Sequence, residues 1–314
     1  MSGADEFPVV VGSRTEVATD VLEFELHAVA GSELPGWEPG AHLDVVTGDG
    51  PTRQYSLCGD PTERTTYRIA VLRQENGRGG SAWLHDRLHV GDKLTVRGPR
   101  NHFPLEPAPS YVFLAGGIGI TPLLTMVRQV AAAGAAWSLH YGGRTRTSMA
   151  YVDELRTLGP VGLVPQDECG LIDIDAAVAG AAPGSAVYCC GPESLIAAAE
   201  AVCADRGLRL RTERFAPRAG DPHAVDGAFT VEIASTGAAL AVPAGRSIVD
   251  VLVDAGVDIL TSCEEGTCGT CETAVLAGIP EHRDSVLTAD EQAAGDRMLP
   301  CVSRARTPRL VLDL

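Results

Sequence analysis

The chain has 314 residues, 45% of them apolar, which is enough for two or three domains with separate cores. Its formal net charge of −16 argues against nucleic-acid binding, which needs a basic surface. No apolar run approaches the length of a membrane span, and the N-terminal segment lacks the pattern of a secretory signal, so a cytoplasmic location is expected.

Residues 1–106 are predicted to form an antiparallel β-barrel. Alternating segments such as VLEFELHAV, HLDVVTG and TYRIAVLRQ are separated by turn-rich clusters, and no long helical period interrupts them. Near the end of this region, Arg53, Tyr55 and Ser56 are expected to project to one side of a strand, where they could hold a flat anionic cofactor. A solvated arginine beside a core tyrosine is the alternative.

A glycine-rich segment, Asn76–Ser81, follows and leads into the helical run AWLHDRL. Glycines at a helix start can present free N–H groups to a phosphate. A plain turn between a strand and a helix explains the same residues.

Residues 107–216 alternate apolar strands with amphipathic helical runs, which predicts a parallel sheet with crossover helices. The segment Gly116–Pro122 stands directly between a strand and a helix, as a pyrophosphate-binding turn does, although it is not the G-x-G-x-x-G fingerprint. Cys190, Gly191 and Pro192 form a second turn of this kind. If their strands are neighbours, the two turns line a crevice at the carboxyl edge of the sheet. A tight structural turn is the alternative at Gly116–Pro122.

Residues 217–226 have no apolar period and are predicted to be a linker. Residues 227–314 return to strands with short helices. One helix is expected to begin after Ser247, with Asp250 completing its cap, and a second to begin after Thr288 with Glu291 in the matching position.

Four cysteines of this last region have the spacing of a plant-type [2Fe–2S] site: Cys263, Cys268, Cys271 and Cys301. The small residues between the first three allow backbone N–H groups to turn toward sulfur. A zinc site or buried free thiols are the alternatives, but zinc usually takes closely spaced pairs of ligands. The remaining five of the nine cysteines are scattered and odd in number, which does not indicate a disulfide framework.

The motifs RQYSL, NGRGGS, GGIGITP and CCGP stand in this order ahead of the cysteine motif. Together they resemble the phthalate dioxygenase reductase family of the wider ferredoxin–NADP reductase superfamily. The resemblance covers essentially the whole chain. It implies a multidomain β + α/β + α+β protein with an FMN-binding antiparallel barrel, a parallel-sheet NAD(P)H-binding domain and a β-grasp plant-type ferredoxin domain.

The resemblance also implies roles for individual residues. The flavin and its phosphate are expected at Arg53, Tyr55, Ser56, Leu57, Gly79, Gly80 and Ser81. The nicotinamide dinucleotide is expected at Gly117, Gly119, Thr121, Gly191 and Pro192. The residues expected at the reacting rings are Tyr55, Ser56 and Cys190, and Phe215 resembles the segment that reaches back toward the flavin in relatives.

The implied activity is electron transfer from NADH (or NADPH) through FMN to the [2Fe–2S] cluster. A nicotinamide delivers two electrons as one hydride, whereas the cluster accepts one electron, and a flavin connects the two. The sequence lacks the motifs of a Rieske oxygenase or a P450, so a separate oxygenase of either kind is the expected electron acceptor of a monomeric reductase. Two alternatives are an FAD-containing flavoreductase that serves another oxidoreductase and a non-enzymatic redox-sensing or zinc-binding protein.

Overall fold

The computed structural model describes residues 6–29, 32–48, 52–75, 77–217 and 227–314. Residues 218–226 of the predicted linker and Asn76 of the glycine-rich segment lie outside the described residues. The chain divides into two compact units, Met1–Glu213 and Arg214–Leu314. Within the described ranges, no helix has both the length and the apolar character that a bilayer crossing requires.

The first sheet of the N-terminal unit is antiparallel and contains six strands. Its strands are β1 (Glu6–Ala18), β2 (Val21–Ala28), β3 (His42–Val46), β4 (Arg53–Ser56), β5 (Thr66–Leu72) and β6 (Lys93–Arg100), and helix α1 (Gly80–Arg87) lies between the last two in sequence. The spatial order is β4-β3-β6-β1-β2-β5.

An isolated antiparallel bridge between Leu57 and Ile69 joins the two ends of this sheet and closes it. Both side chains are fully buried in a core of alternate strand residues, which includes Phe24 and Leu43. The alternation of apolar and polar residues in the sequence therefore fills the inside of a barrel, as predicted.

The second sheet is parallel throughout and contains five strands. Its strands are β7 (Ser110–Gly116), β8 (Ala136–Gly143), β9 (Val161–Pro165), β10 (Ala186–Cys190) and β11 (Arg209–Glu213). The helices are α2 (Ile120–Ala132), α3 (Val152–Leu158), α4 (Gln166–Cys169), α5 (Ile174–Val178) and α6 (Glu193–Arg206), with 3-10 turns at Gly117–Gly119 and Arg146–Ser148.

The spatial order of this sheet is β11-β10-β7-β8-β9, so the chain reverses its direction of travel between β7 and β10. Ligands of open α/β sheets bind at such a reversal, beyond the carboxyl ends of the strands. Helix α2 packs on one face of the sheet and helices α5 and α6 on the other. Strand β11 and the short helices α4 and α5 were not among the predicted elements.

The C-terminal unit has a mixed five-stranded sheet of order β13-β12-β18-β14-β16 and a two-stranded sheet of β15 and β17. Its elements are β12 (Phe229–Ile233), β13 (Ala239–Val242), α7 (Ile248–Asp254), β14 (Thr273–Ala277), β15 (Pro280–Glu281), α8 (Ala289–Ala294), β16 (Arg297–Met298), β17 (Arg304–Ala305) and β18 (Arg309–Leu312). The β12–β18 pair is parallel and the other pairs are antiparallel, as in a β-grasp domain.

Both predicted helix caps of this unit are present. The Ser247 hydroxyl accepts from the Asp250 N–H, and the Thr288 hydroxyl accepts from the Glu291 N–H; the acidic side chain returns a bond to the cap backbone in each case. Such reciprocal bonds satisfy N–H groups that the first helical turn leaves unpaired.

Candidate functional site

Two predicted flavin motifs meet in the barrel. A Cβ atom on Gly80, the first residue of α1, would lie 2.6 Å from Cγ of Arg53, so the arginine stem lies directly over a position that only glycine can occupy. Gly79 caps α1 with φ of 89°, and an added Cβ there would have no other heavy atom within 4 Å. Arg53 and the beginning of α1 therefore border one surface, which is the arrangement that a flavin phosphate requires.

The sequence predicted that Ser56 shares one face of the strand with Arg53 and Tyr55, and this prediction is wrong. Tyr55 is paired with Leu43 and packs against the barrel core, whereas Ser56 is paired with His42 on the opposite face. The reason is the two-residue period of a strand, because Ser56 follows Tyr55 directly. Leu57 is fully buried and its backbone N–H donates to the Ala41 carbonyl at 2.8 Å, so its expected contact with the flavin remains a prediction.

The Ser56 hydroxyl is buried, and its oxygen has no hydrogen-bond partner among the described residues. The same holds for Nε2 of His42 across the ladder, and burial, followed by the charge of Arg100, lowers the pKa of this imidazole to about 3. Buried polar atoms are normally paired. These two atoms are available to the polar edge of a bound flavin.

The Ser81 hydroxyl of the glycine-rich segment already has a local partner. The Ser81 hydroxyl oxygen accepts from the Gln74 N–H at 3.0 Å, which closes the glycine-rich loop and leaves the hydroxyl proton free to donate to a ligand. Burial raises the pKa of Tyr55, so its phenol stays protonated.

The two predicted nucleotide turns touch at the reversal of the parallel sheet. A Cβ on Gly119 would lie 2.3 Å from the Cys190 carbonyl oxygen, and one on Gly116 would lie 2.5 Å from Cδ of Pro192. A Cβ on Gly191 would lie 2.9 Å from Cα of Gly116. The glycines thus allow two backbones to pass in contact at the carboxyl ends of β7 and β10, the edge of the sheet at which the sequence predicts a nucleotide crevice.

The first turn is held from within by side chains. The Thr121 hydroxyl donates to the Ile118 carbonyl at 3.0 Å, and the Tyr141 hydroxyl donates to the Gly117 carbonyl at 3.2 Å. Gly117 has φ of 55°, which a side chain would strain. Thr121 therefore shapes the turn through its hydroxyl, and its backbone N–H belongs to the first turn of α2.

A buried carboxyl group lies beside Cys190 and was missed by the sequence analysis. Glu213 is the last residue of β11 and is paired with Cys190 in the parallel ladder. Glu213 as a whole is partly exposed, but its Oε2 atom is out of contact with solvent and has no hydrogen-bond partner within the described ranges. Burial raises the pKa of Glu213 to about 8, and burial followed by this carboxyl raises the pKa of the Cys190 thiol.

We expect Glu213→Gln to make the protein less sensitive to alkaline pH. The carboxyl titrates near 4.5 when unfolded and near 8 when folded, so between these values the folded state binds more protons and loses stability as pH rises. Glutamine does not titrate. The melting temperature of the variant minus that of the parent should therefore increase from pH 5 to pH 8 and level off above pH 8. A pH-independent difference in thermal unfolding would contradict the raised pKa.

The four predicted cluster ligands lie together in the C-terminal unit, each at most 8% exposed. Their thiols interact in two pairs, Cys263 with Cys268 and Cys271 with Cys301. The hydrogen bond from the Cys268 thiol is the main cause that lowers the pKa of Cys263 to about 5. Within the described part of the chain, no group of three or more His, Cys, Asp or Glu side chains is arranged around a single metal position.

Backbone groups of the cysteine loop point at sulfur, as predicted. The backbone N–H of Glu265 donates to Sγ of Cys263 at 3.3 Å. A side-chain group also lies near sulfur: the Thr270 hydroxyl is 3.1 Å from Sγ of Cys268. The loop needs left-handed backbone at Glu264, Gly266 and Gly269, with φ of 56°, 68° and 69°. These turns wrap the chain around the sulfurs, which matches the chemistry of a thiolate-bound centre.

Phe215 belongs to the C-terminal unit and is 47% exposed. Its ring is the largest exposed apolar group of the ERFAP segment, so it has surface to offer to a ligand. Its expected position at the flavin remains a prediction.

Three domain families match the chain in the expected order. They are the oxidoreductase FAD-binding domain over residues 8–104, the oxidoreductase NAD-binding domain over 113–161 and the 2Fe-2S iron-sulfur cluster binding domain over 231–306. The barrel, the parallel sheet and the cysteine loop therefore belong to a flavin-binding, an NAD-binding and a [2Fe–2S] domain.

Two relatives match over nearly their full length. Phenoxybenzoate dioxygenase subunit beta from Ectopseudomonas oleovorans is 47% identical, with coverage of 95% of this chain and 94% of the relative. Phthalate dioxygenase reductase from Burkholderia cepacia is 40% identical, with coverage of 97% and 96%.

Solved structures show the same architecture. A modular phthalate dioxygenase reductase is 38% identical, with 98% of both chains covered and a TM-score of 0.71. An intact type IV self-sufficient cytochrome P450 monooxygenase is 43% identical with a TM-score of 0.91; the match covers 98% of this chain, which spans 41% of that longer chain. The chain belongs to the phthalate dioxygenase reductase family and is an NAD(P)H-dependent iron–sulfur flavoprotein oxidoreductase.

Proposed function

We propose that this chain is the reductase component of an oxygenase system, in which it passes electrons from NADH through FMN to a [2Fe–2S] cluster and on to a separate oxygenase. The observation that carries the proposal is the glycine contact between the ends of β7 and β10, because it brings the two predicted nucleotide turns together in the same unit as the flavin barrel. A bound flavin supplies the conversion of one hydride into two single electrons.

The proposed domain boundaries are those of the sequence analysis: a flavin domain over 1–106, a nucleotide domain over 107–216, a linker over 217–226 and a ferredoxin domain over 227–314. The barrel strands end at Arg100 and the parallel sheet begins at Ser110, which supports the first boundary. The first strand of the C-terminal unit, β12, begins at Phe229, which supports the last one.

We propose FMN rather than FAD as the flavin. The name of the matching family mentions FAD, but Arg53 beside the start of α1 suits one terminal phosphate, and the unpartnered hydroxyl of Ser56 suits the polar edge of the ring. Mass spectrometry of the flavin released by denaturation tests this. Release of one FMN per chain is the expected result, and release of FAD would refute the assignment.

We propose NADH as the electron donor. The NADPH 2′-phosphate would need cationic partners after β8, where Arg144 and Arg146 stand. Arg146 is already paired with Glu168, with Nη2 3.1 Å from Oε2, which weakens its attraction for a phosphate. Steady-state rates with both nucleotides test this assignment, and a higher kcat/KM with NADPH would overturn it.

Cys263, Cys268, Cys271 and Cys301 are the proposed ligands of the cluster. A [2Fe–2S] centre needs two thiolates on each of two irons, and the two cysteine pairs supply them. A single zinc ion would instead need all four donors around one point. Backbone N–H groups aimed at sulfur stabilise the thiolate charge.

The proposed acceptor is a Rieske-type oxygenase or a cytochrome P450. The names of the dioxygenase relatives support the first. The self-sufficient cytochrome P450 supports the second, because the region that matches this chain is one part of that longer protein. We further propose a monomer in the cytoplasm; the nine cysteines, none of which is in a disulfide, suit a reducing compartment.

A further inference from the structure

The peptide that directly follows the flavin strand is bonded by two arginines from different domains. From β5 of the barrel, Nε and Nη2 of Arg68 donate to the Cys58 carbonyl at 3.2 and 2.8 Å. From α2 of the nucleotide domain, Nη1 of Arg128 donates to the carbonyls of Cys58 and Gly59, both at 2.8 Å. The C-terminal end of Arg53–Leu57 is thus attached to the parallel-sheet domain.

The other side of the Arg128 guanidinium is held by Glu154 of α3. Nε of Arg128 donates to Glu154 Oε1 at 2.6 Å, and Nη2 bonds the same oxygen. Both side chains are largely buried, at 24% and 32% exposure. A planar fork that bonds a carboxylate on one side and two carbonyls on the other has a fixed orientation, which a lysine could not reproduce.

Tyr151 makes a second connection between the same domains. It precedes α3 in a left-handed conformation with φ of 61°, and its hydroxyl donates to Glu23 Oε2 on β2 at 2.7 Å. The hydroxyl also lies 3.5 Å from Sγ of Cys58, and the Arg68 guanidinium lies 5.4 Å from the ring centroid. A non-glycine residue is strained in this conformation, so surrounding contacts must hold it there.

These contacts define one cluster. We call the six residues that make it the latch: Glu23, Cys58, Arg68, Arg128, Tyr151 and Glu154.

The latch and the nucleotide turn are carried by the same helix. Helix α2 starts at Ile120, directly after the glycine turn, and Arg128 lies eight residues later, about 12 Å along the axis. A rigid helix therefore connects the glycine turn to the peptide behind the flavin strand. A shift of either end moves the other.

We propose, on the basis of the function proposed above, that Arg128 is a positioning residue for hydride transfer, which acts through the latch to fix the nucleotide turn relative to the flavin strand. In the step that it serves, NADH gives a hydride, two electrons and one proton, to the oxidised flavin; a second proton comes from solvent, and NAD⁺ and the two-electron-reduced flavin result. The bonds of Arg128 go to Glu154 and to the carbonyls of Cys58 and Gly59, so its proposed action is through these groups. A misplacement of about 1 Å between reacting atoms can cost about 100-fold in rate, so the latch affects the rate of this step more than nucleotide affinity.

The test compares Arg128→Gln with Arg156→Gln in the flavin-loaded protein. Arg156 lies on α3, is 55% exposed and has one loose ion pair, 3.9 Å to Asp153, which makes it a matched control. In anaerobic stopped-flow experiments, Arg128→Gln should lower the rate of flavin reduction at saturating NADH by about 10- to 100-fold, with the nucleotide Kd changed by less than about threefold. The control should match the parent in both quantities.

Two further measurements separate positioning from damage to the fold. Flavin content and the cluster spectrum of Arg128→Gln should equal those of the parent. Tyr151→Phe, which deletes one hydroxyl, should lower the same rate, and its effect should not add to that of Arg128→Gln because both act through one latch. The proposal is wrong if the saturating rate of Arg128→Gln stays within about twofold of the parent, or if it falls only in proportion to lost flavin.

Discussion

Cys301→Ser is expected to abolish electron delivery from the protein while NADH still reduces its flavin. Under the proposed ligand assignment, the substitution leaves one iron of the centre with a single cysteine ligand, Cys271, and a plant-type [2Fe–2S] cluster needs two thiolates on each iron. Cytochrome c reduction should therefore fall by about 100-fold or more, since the single-electron exit is lost. The visible absorption of the cluster should disappear.

The matched control for this prediction is Cys169→Ser. Cys169 is an exposed free thiol at the end of α4, and its substitution should leave both activities and both chromophores unchanged. A Cys301→Ser protein that keeps its iron, its cytochrome c activity and an unchanged cluster spectrum would show that Cys301 is not a ligand, because a serine oxygen bound in place of the thiolate would shift that spectrum.

Gly119→Ala is expected to lower kcat/KM for NADH by about 100-fold, since hydride transfer is sensitive to misplacements of about 1 Å. A methyl group at this position would lie 2.3 Å from the Cys190 carbonyl oxygen and 2.7 Å from the Gly191 N atom, so the two turns must separate. Steady-state kinetics with NADH measures the loss. The cluster spectrum should remain, because the C-terminal unit is not touched.

Gly180→Ala provides the comparison. Gly180 follows α5, has no heavy atom within 4 Å of the position of an added Cβ and does not need a left-handed backbone, so its substitution should be silent. Equal kinetics for the two variants would mean that the contact between the turns has no role in nucleotide binding.

Local sequence signals predicted local structure well. The caps at Ser247 and Thr288 depend on residues three positions apart, and both are present. The glycine turns at Gly116–Pro122 and Cys190–Pro192 were predicted to meet because strand-to-helix turns of a parallel sheet gather at one edge, and they do. The cysteine spacing also predicted that four sulfurs lie together, because a loop of small residues has few ways to fold around them.

Features that depend on contacts between distant elements were not predicted. Glu213 was missed because β11 is a polar strand, RLRTE, whose burial comes from its neighbour β10. The contact of Arg53 with Gly80 and the bonds of Arg128 to Cys58 join segments that are 27 and 70 residues apart. The misplacement of Ser56 had a different cause, since the two-residue strand period already assigned it to the face opposite Tyr55.

An anaerobic titration of the loaded protein with NADH tests the central claim most directly. A flavin that takes two electrons and a cluster that takes one should together consume about 1.5 equivalents of NADH per chain, with loss of both visible absorptions and one unpaired electron on the reduced cluster. Consumption of about one equivalent, with the flavin bleached and the iron–sulfur absorption intact, would contradict the account, because electrons would then not pass from the flavin to the cysteine-bound centre.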